Sequence, residues 1–414
     1  MAILNMTTYA AGLRTMYEDL TELVYTNRPL LGLIPKAEGT VGDSIKVPLR
    51  IGNTGGRSAT MATAVTNKAA SVARAFAVTP VSDYAVASVD RLTMLASAND
   101  KGAVMKAWEF EVDGAFNKVT DSLHRGLYLS KGGAVSRVGA AQVLASTTVV
   151  LETIADTAYF EVGDKFYLAT TAAGTSLRNS GAACTVSAVN RSAGTLTVGA
   201  NLSTTIAAAA VGDYIILEGD AAARISGLSD WVPFTAPSAS ESFFGVDRSI
   251  DERLYGLRAD TSTDGTPIEE ALVSMANDLA GRGGSPDLAV MNFKQYTKLV
   301  NSLGSKVQYT NVQATGAKGR IADIGFAGIK LFAGRGVIDI VPDHACPVGF
   351  TWVLDRSTWE LATYGKAPHL FEEDGEMIRD ASADSYEVRT GYYGNVICKA
   401  PGFNGIIKLP TTGL

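Results

Sequence analysis

The chain is poor in charge: Asp, Glu, Lys and Arg make up 19% of its 414 residues, against 46% hydrophobic residues. A monomer with so few surface charges would associate, so much of its surface is expected to lie against partners. Cysteine is scarce too. Cys184, Cys346 and Cys398 share no metal-like spacing and read as small buried hydrophobes of a reducing compartment. No apolar run approaches the roughly 20 residues of a membrane span. The first ten residues lack the charged and apolar segments of an export signal, so a soluble, cytoplasmic protein is expected. The net charge of −6 argues against direct, salt-dependent binding to nucleic acid, although not against a container whose acidic lining repels DNA.

Catalytic signatures are missing as well. There is no nucleophile elbow, no phosphate loop of the Gly-x4-Gly-Lys type and no His-Glu-x-x-His. The three histidines, His124, His344 and His369, stand far apart, where a single imidazole is more often a structural donor than a catalyst. Asp343-His344 beside Cys346 suggests a nucleophile and base, but neighbours in one turn rarely point at one atom. Glu372-Glu373-Asp374-Gly375-Glu376 lacks the alternating ligands of a calcium loop and reads as a solvated turn. The expectation is a non-enzyme with no cofactor and no metal.

What the sequence does have is one long helix. Across residues 99–130, Val104, Trp108, Val112, Phe116, Val119, Leu123 and Leu127 recur at steps of three or four and share one helical face. Glu109, Asp113, Lys118, Asp121 and Arg125 fall largely on the other. Ser97, Asn99 and Asp100 supply capping chemistry, and Lys131-Gly132-Gly133 a stop. Such a helix is about 45 Å long, a spine against which other pieces lie.

Before it, residues 13–25 carry helical spacing, and residues 27–35 read as apolar and extended. Residues 44–51 and 71–81 alternate as strands around a Gly/Ser/Ala/Thr tip, which makes a long hairpin. An isolated hairpin is marginal in water, so it needs a partner surface; an ordinary sheet hairpin with a long loop is the competing reading. Its Arg57, Lys68 and Arg74 are candidate inter-subunit contacts, with solvated charges as the alternative.

After the helix, residues 147–225 are rich in Ala, Thr, Val and Gly and contain an internal echo. Val162-Gly163-Asp164-Lys165-Phe166-Tyr167-Leu168 resembles Val211-Gly212-Asp213-Tyr214-Ile215-Ile216-Leu217. A small inserted β-barrel or sandwich is expected there. Residues 231–258 read as irregular and aromatic. Thr266, Pro267 and Glu269 predict a capping box for a helix ending at Gly281, and Asn292 with Gln295 opens another that ends at Gly304. From Ile321 onward the chain is mostly strand: Ile329–Ala333, Val337–Val341, Phe350–Asp355, Trp359–Ala362, Tyr386–Arg389 and Asn395–Lys399 are expected, separated by Gly, Pro and Asp turns.

The C-terminal third resembles a known family. Gly336-Val337-Ile338-Asp339, Asp343-His344-Ala345-Cys346-Pro347-Val348-Gly349, Leu354-Asp355 and Trp359-Glu360-Leu361 resemble the closing part of tailed-phage major capsid proteins. Tyr386-Glu387-Val388-Arg389, Tyr392-Tyr393-Gly394 and Pro401-Gly402-Phe403-Asn404-Gly405 do so too. The resemblance implies the α+β fold named after phage Hong Kong 97. It divides the chain into an N-terminal arm (1–37), an extended loop (38–82), a peripheral domain with the spine helix (83–136) and an entry to the axial domain (137–146). The inserted β domain (147–226), the axial domain (227–320) and a return through both domains (321–414) follow.

The implied function is self-assembly, as hexamers and pentamers, into an icosahedral shell. The shell encloses double-stranded DNA without sequence-specific binding and without a membrane, and it is built in the host bacterial cytoplasm. A separate scaffolding protein is implied, because no long charged helical region precedes the arm. A portal and a decoration protein are further candidate partners. Some family members crosslink a loop lysine to an asparagine; Lys68 matches the first, but residues 379–387 offer Asp380 and Asp384 and no Asn, so no crosslink is expected. An encapsulin-like bacterial nanocompartment shell and another phage structural protein are the alternative readings.

Overall fold

A computed structural model describes residues 28–40, 42–53, 55–91, 101–239, 241–304, 329–371, 378–379 and 383–411, with the backbone alone for 101–110. The expected helix at residues 13–25, the caps Ser97, Asn99 and Asp100, and the acidic stretch Glu372 to Glu376 lie outside these residues.

The long helix runs Lys101–Gly126, 26 residues or about 39 Å. Val119, Leu123 and Leu127 are buried along it as the periodicity requires, while Phe116, expected inward, is 37% exposed. Asp121, expected outward, is buried between Arg28 at 3.7 Å and Arg125. The reason is a second covered side: the arm lies there, and Arg125 Nη1 donates to Tyr159 O at 2.7 Å. Residues 29–33, expected to be extended, instead form the short helix Pro29–Leu33, opened by its proline and burying Leu30 and Leu31.

The described residues form three six-stranded sheets, and the long helix packs on the first of them. In the first, the 14-residue strand Ser385–Cys398 pairs with Val81–Asp90 on one side and with Trp359–Thr363 on the other; Lys36–Glu38 continues it in parallel. Two separate strands were expected within residues 386–399. The glycines there serve close packing rather than a turn: a Cβ on Gly391 would meet Asp83 O at 2.4 Å and the Phe371 and Tyr84 rings at 3.0 Å.

The second sheet has the order Ala134–Arg137, Tyr214–Leu217, Lys165–Ala169, Cys184–Asn190, Thr195–Val198, Thr148–Val150. Its outer strands meet through the Val138–Leu151 bridge, with Gly139 N–H donating to Val150 O at 2.8 Å, so the sheet curls on itself. The two echoed segments are the antiparallel neighbours Lys165–Ala169 and Tyr214–Leu217. Each is opened by the same device. Gly163 and Gly212 adopt φ of +96° and +83°, a region that favours glycine. Asp164 and Asp213 then accept from the backbone N–H three residues earlier, at 2.9 and 2.8 Å. Phe160, Phe166, Leu168, Leu196 and Ile215 fill a core of its own.

The third sheet is mixed, ordered Leu257–Asp260, Gly405–Lys408, Phe350–Leu354, Leu288–Met291, Gly336–Pro342, Ile329–Ala333. Helix Ile268–Gly281 packs on it through Leu272, Met275 and Leu279. The expected capping box is not formed: Asp264 caps Thr266 N–H at 3.0 Å, and Glu269 is taken by Ser302 of the next helix. Asn292 does cap helix Phe293–Gly304, accepting from Lys294 N–H at 3.1 Å. The three cysteines are free and buried. No described helix is long and apolar enough to cross a membrane.

Candidate functional site

Strands Ile45–Gly52 and Val72–Val78 form the expected hairpin, with a short helix Met61–Thr66 at its tip. Register places Val47 opposite Phe76 and Ile45 opposite Val78 on one face. That face is anchored at the base. Phe76 is fully buried, edge-on to Trp231 at 5.1 Å and to Phe243 at 6.0 Å, and Ala77 N–H donates to Phe244 O at 3.0 Å. Trp231 is held in turn by its indole N–H on Val396 O at 3.0 Å, and Arg248 stacks 3.9 Å over Phe243. The aromatic stretch that looked irregular in sequence is therefore the socket of the hairpin.

Leu49 and Ile51 continue the anchored face, and Arg253 Nη2 donates to Ile51 O at 2.6 Å; beyond them the hairpin is bare. Met61 is 79% exposed, and Val65 and Val72 are exposed as well. Arg57, Lys68 and Arg74 are all exposed, and among the described residues none of them pairs with a carboxylate; Arg74 donates to its neighbour's carbonyl, Ala73 O, at 3.2 Å. The structure does not bring the three together. Two further cations, Lys46 and Arg50, are exposed on the opposite face of the same strands. Between Ser44 and Ser82 the chain has these five cations and no acid, so all 42 Asp and Glu residues lie elsewhere. That block of one sign was readable in sequence and was missed because the cations were taken singly. Asp384, in the segment whose lack of asparagine argues against a crosslink to Lys68, is engaged by Arg91 and Arg379, each at 3.6 Å.

A second polar site lies where the long helix meets the third sheet. Asp343, fully buried, accepts from His124 Nε2 at 3.0 Å, Tyr128 Oη at 2.7 Å and Ala345 N–H at 2.9 Å. Burial raises the Asp343 carboxyl, but these donors outweigh it and hold the group below its ordinary value. His344 Nδ1 is 3.5 Å from the same oxygen, and burial lowers that imidazole's pKa. Tyr159, from the second sheet's region, donates to Ala345 O at 3.0 Å. The histidines that looked far apart in sequence are thus partly assembled: the rings of His124 and His344 are 5.6 Å apart. Burial pushes the Cys346 thiol well above its ordinary value, against a nucleophilic role for it.

No family model and no curated protein matches this chain. Solved structures do. The capsid asymmetric unit of cyanophage A-1(L) superposes with a TM-score of 0.57 at 12% identity, covering 99% of this chain and 100% of that one. The holo-SrpI encapsulin complex of Synechococcus elongatus PCC 7942 gives 0.47 at 7% identity, over 100% of this chain and 98% of that one. The capsid of Myoviridae phage XM1 gives 0.43 at 8%, over 97% and 98%. At such identities the likeness establishes the fold. The chain has the fold of a phage capsid protein over nearly its whole length.

Proposed function

We propose that this chain is the major capsid protein of a tailed bacteriophage, a non-enzymatic subunit that assembles with copies of itself into a closed icosahedral shell around double-stranded DNA. The carrying observation is the full-length likeness to the cyanophage capsid unit. The hairpin supports it: a base socketed in Trp231 and Phe243, and a bare apolar and cationic tip on an acidic chain. A tip of that kind fits an acidic, partly apolar surface on a neighbouring copy, where Arg57, Lys68 and Arg74 find their counter-charges. In this reading, residues 38–82 are the extended loop, 83–136 the peripheral domain, and 227–320 the axial domain. The second sheet is the inserted domain, and its strand Ala134–Arg137 carries that domain back from residue 147 into the end of the peripheral stretch and the axial entry.

Partners in this proposal are hexamers and pentamers of the chain itself, a scaffolding protein and a portal. A decoration protein would dock on the inserted domain. Shells form in the host cytoplasm. Covalent crosslinks through Lys68 do not form, since residues 379–387 hold no asparagine.

Sedimentation of the purified full-length chain, with and without its tip (residues 55–69 replaced by a short Gly/Ser linker), tests the reading. Pentamers, hexamers or larger closed species for the full chain, reduced for the tipless chain, are expected. A full chain that stays monomeric at every concentration and salt tested would overturn it.

A further inference from the structure

We propose that His124, Asp343 and His344 form a binding site for one divalent transition-metal ion of the zinc type, which clamps the long helix to the loop that follows strand Gly336–Pro342. The ligands come from two distant parts of the chain, 219 positions separating His124 from Asp343 and its neighbour His344. Folding brings one ligand atom of each within 4.8 Å of the other two.

The spacing suits an ion. Asp343 Oδ1 lies 3.0 Å from His124 Nε2 and 3.5 Å from His344 Nδ1. Two ligands each about 2.1 Å from a tetrahedral ion stand roughly 3.4 Å apart, so the ligand atoms already sit near the edges of such a polyhedron. Two imidazoles and one carboxylate select zinc, cobalt or nickel over magnesium or calcium, which prefer oxygen alone. A water fills the fourth position.

The surroundings behave as a supporting shell. Tyr128 Oη on Asp343 Oδ2 and the Ala345 N–H on Oδ1 fix the plane of the carboxylate. His124 is fully buried, yet its Nδ1 has no hydrogen-bond partner among the described residues. When an ion binds, coordination through Nε2 takes the place of the hydrogen bond to Asp343 Oδ1, and the ring proton sits on Nδ1. His344, with 16% of its side chain exposed, is the side by which the ion enters. Because access is narrow, loading accompanies folding.

The test uses the full-length chain, refolded in chelator, in Zn2+ or in Co2+, then gel-filtered. The wild type is expected to retain one equivalent of Zn2+ per chain, to give the strong visible absorption of four-coordinate Co2+, and to unfold at higher temperature with Zn2+ than with chelator. His344→Ala and Asp343→Asn, both checked for folding by circular dichroism, should lose about 100-fold or more in affinity. His369→Ala, the remaining histidine, should bind as the wild type does. No retained metal in the refolded wild type would overturn the proposal. So would undiminished binding by His344→Ala and Asp343→Asn, or loss of binding in His369→Ala.

Discussion

Replacing Phe76 by alanine separates the two roles assigned to the hairpin. The side chain is fully buried and meets two rings edge-on, Trp231 at 5.1 Å and Phe243 at 6.0 Å. Truncating a phenylalanine in such a site costs about 3–5 kcal/mol, the sum of lost apolar burial and the cavity left behind. The surroundings cannot collapse far, because Trp231 is pinned by its indole N–H to Val396 O. Met61→Ser is the contrasting change: at 79% exposure it touches little in its own chain and should alter stability by less than about 0.5 kcal/mol. Urea unfolding under conditions that keep the chain monomeric measures both. Phe76→Ala should lower the midpoint strongly, and Met61→Ser should leave it unchanged while slowing assembly. A mild Phe76→Ala, or a Met61→Ser that destabilises the monomer as much as it slows assembly, would refute the division into socket and tip.

Three other outcomes follow from the same geometry. Burial pushes the Asp156 carboxyl from 3.8 up to about 7, against the Ser136 hydroxyl that donates to it at 2.7 Å. The folded chain then keeps a proton that the unfolded chain loses, so stability falls as pH rises from about 4 to about 7 and levels off above. Asp156→Asn should remove that slope and be more stable at pH 8 by up to roughly 4 kcal/mol, read from unfolding curves at both pH values. Equal slopes for variant and wild type would count against it. Asn404 accepts from the Trp359 indole at 2.8 Å and from Asp355 N–H at 2.9 Å and donates to Ala400 O at 3.0 Å. Asn404→Ala, measured by thermal unfolding, should cost several times the ~1 kcal/mol of a single hydrogen bond because it orphans buried partners. Reversing Arg57, Lys68 and Arg74 to Glu should slow assembly seen by light scattering, and wild-type assembly should weaken as salt rises; an unchanged rate would remove these cations from the contact.

Local patterns in the sequence carried much of the architecture. Strand Ile329–Ala333 lies where it was expected between turn residues, the Gly-Asp echo became two neighbouring strands, and Asn292 caps its helix. Interfaces between distant segments were not legible. Asp121 was assigned to solvent because a helical wheel cannot show that the arm and Tyr159's segment cover that side. The Pro29–Leu33 helix was missed because five apolar residues have no period to read. Gly391 and Gly394 looked like turn residues, whereas they thin the sheet where rings and carbonyls press close. His124 and Asp343 meet only through tertiary packing, so no spacing motif announced them.

The central claim is assembly, and electron microscopy of the chain expressed alone and with its neighbouring genes tests it most directly. The account predicts closed polyhedral shells, with nuclease-resistant double-stranded DNA inside those formed in the full gene context. Small shells filled with a cargo protein would transfer the chain to the nanocompartment reading. Long tubes with a central channel, or monodisperse monomers under every condition, would contradict the account.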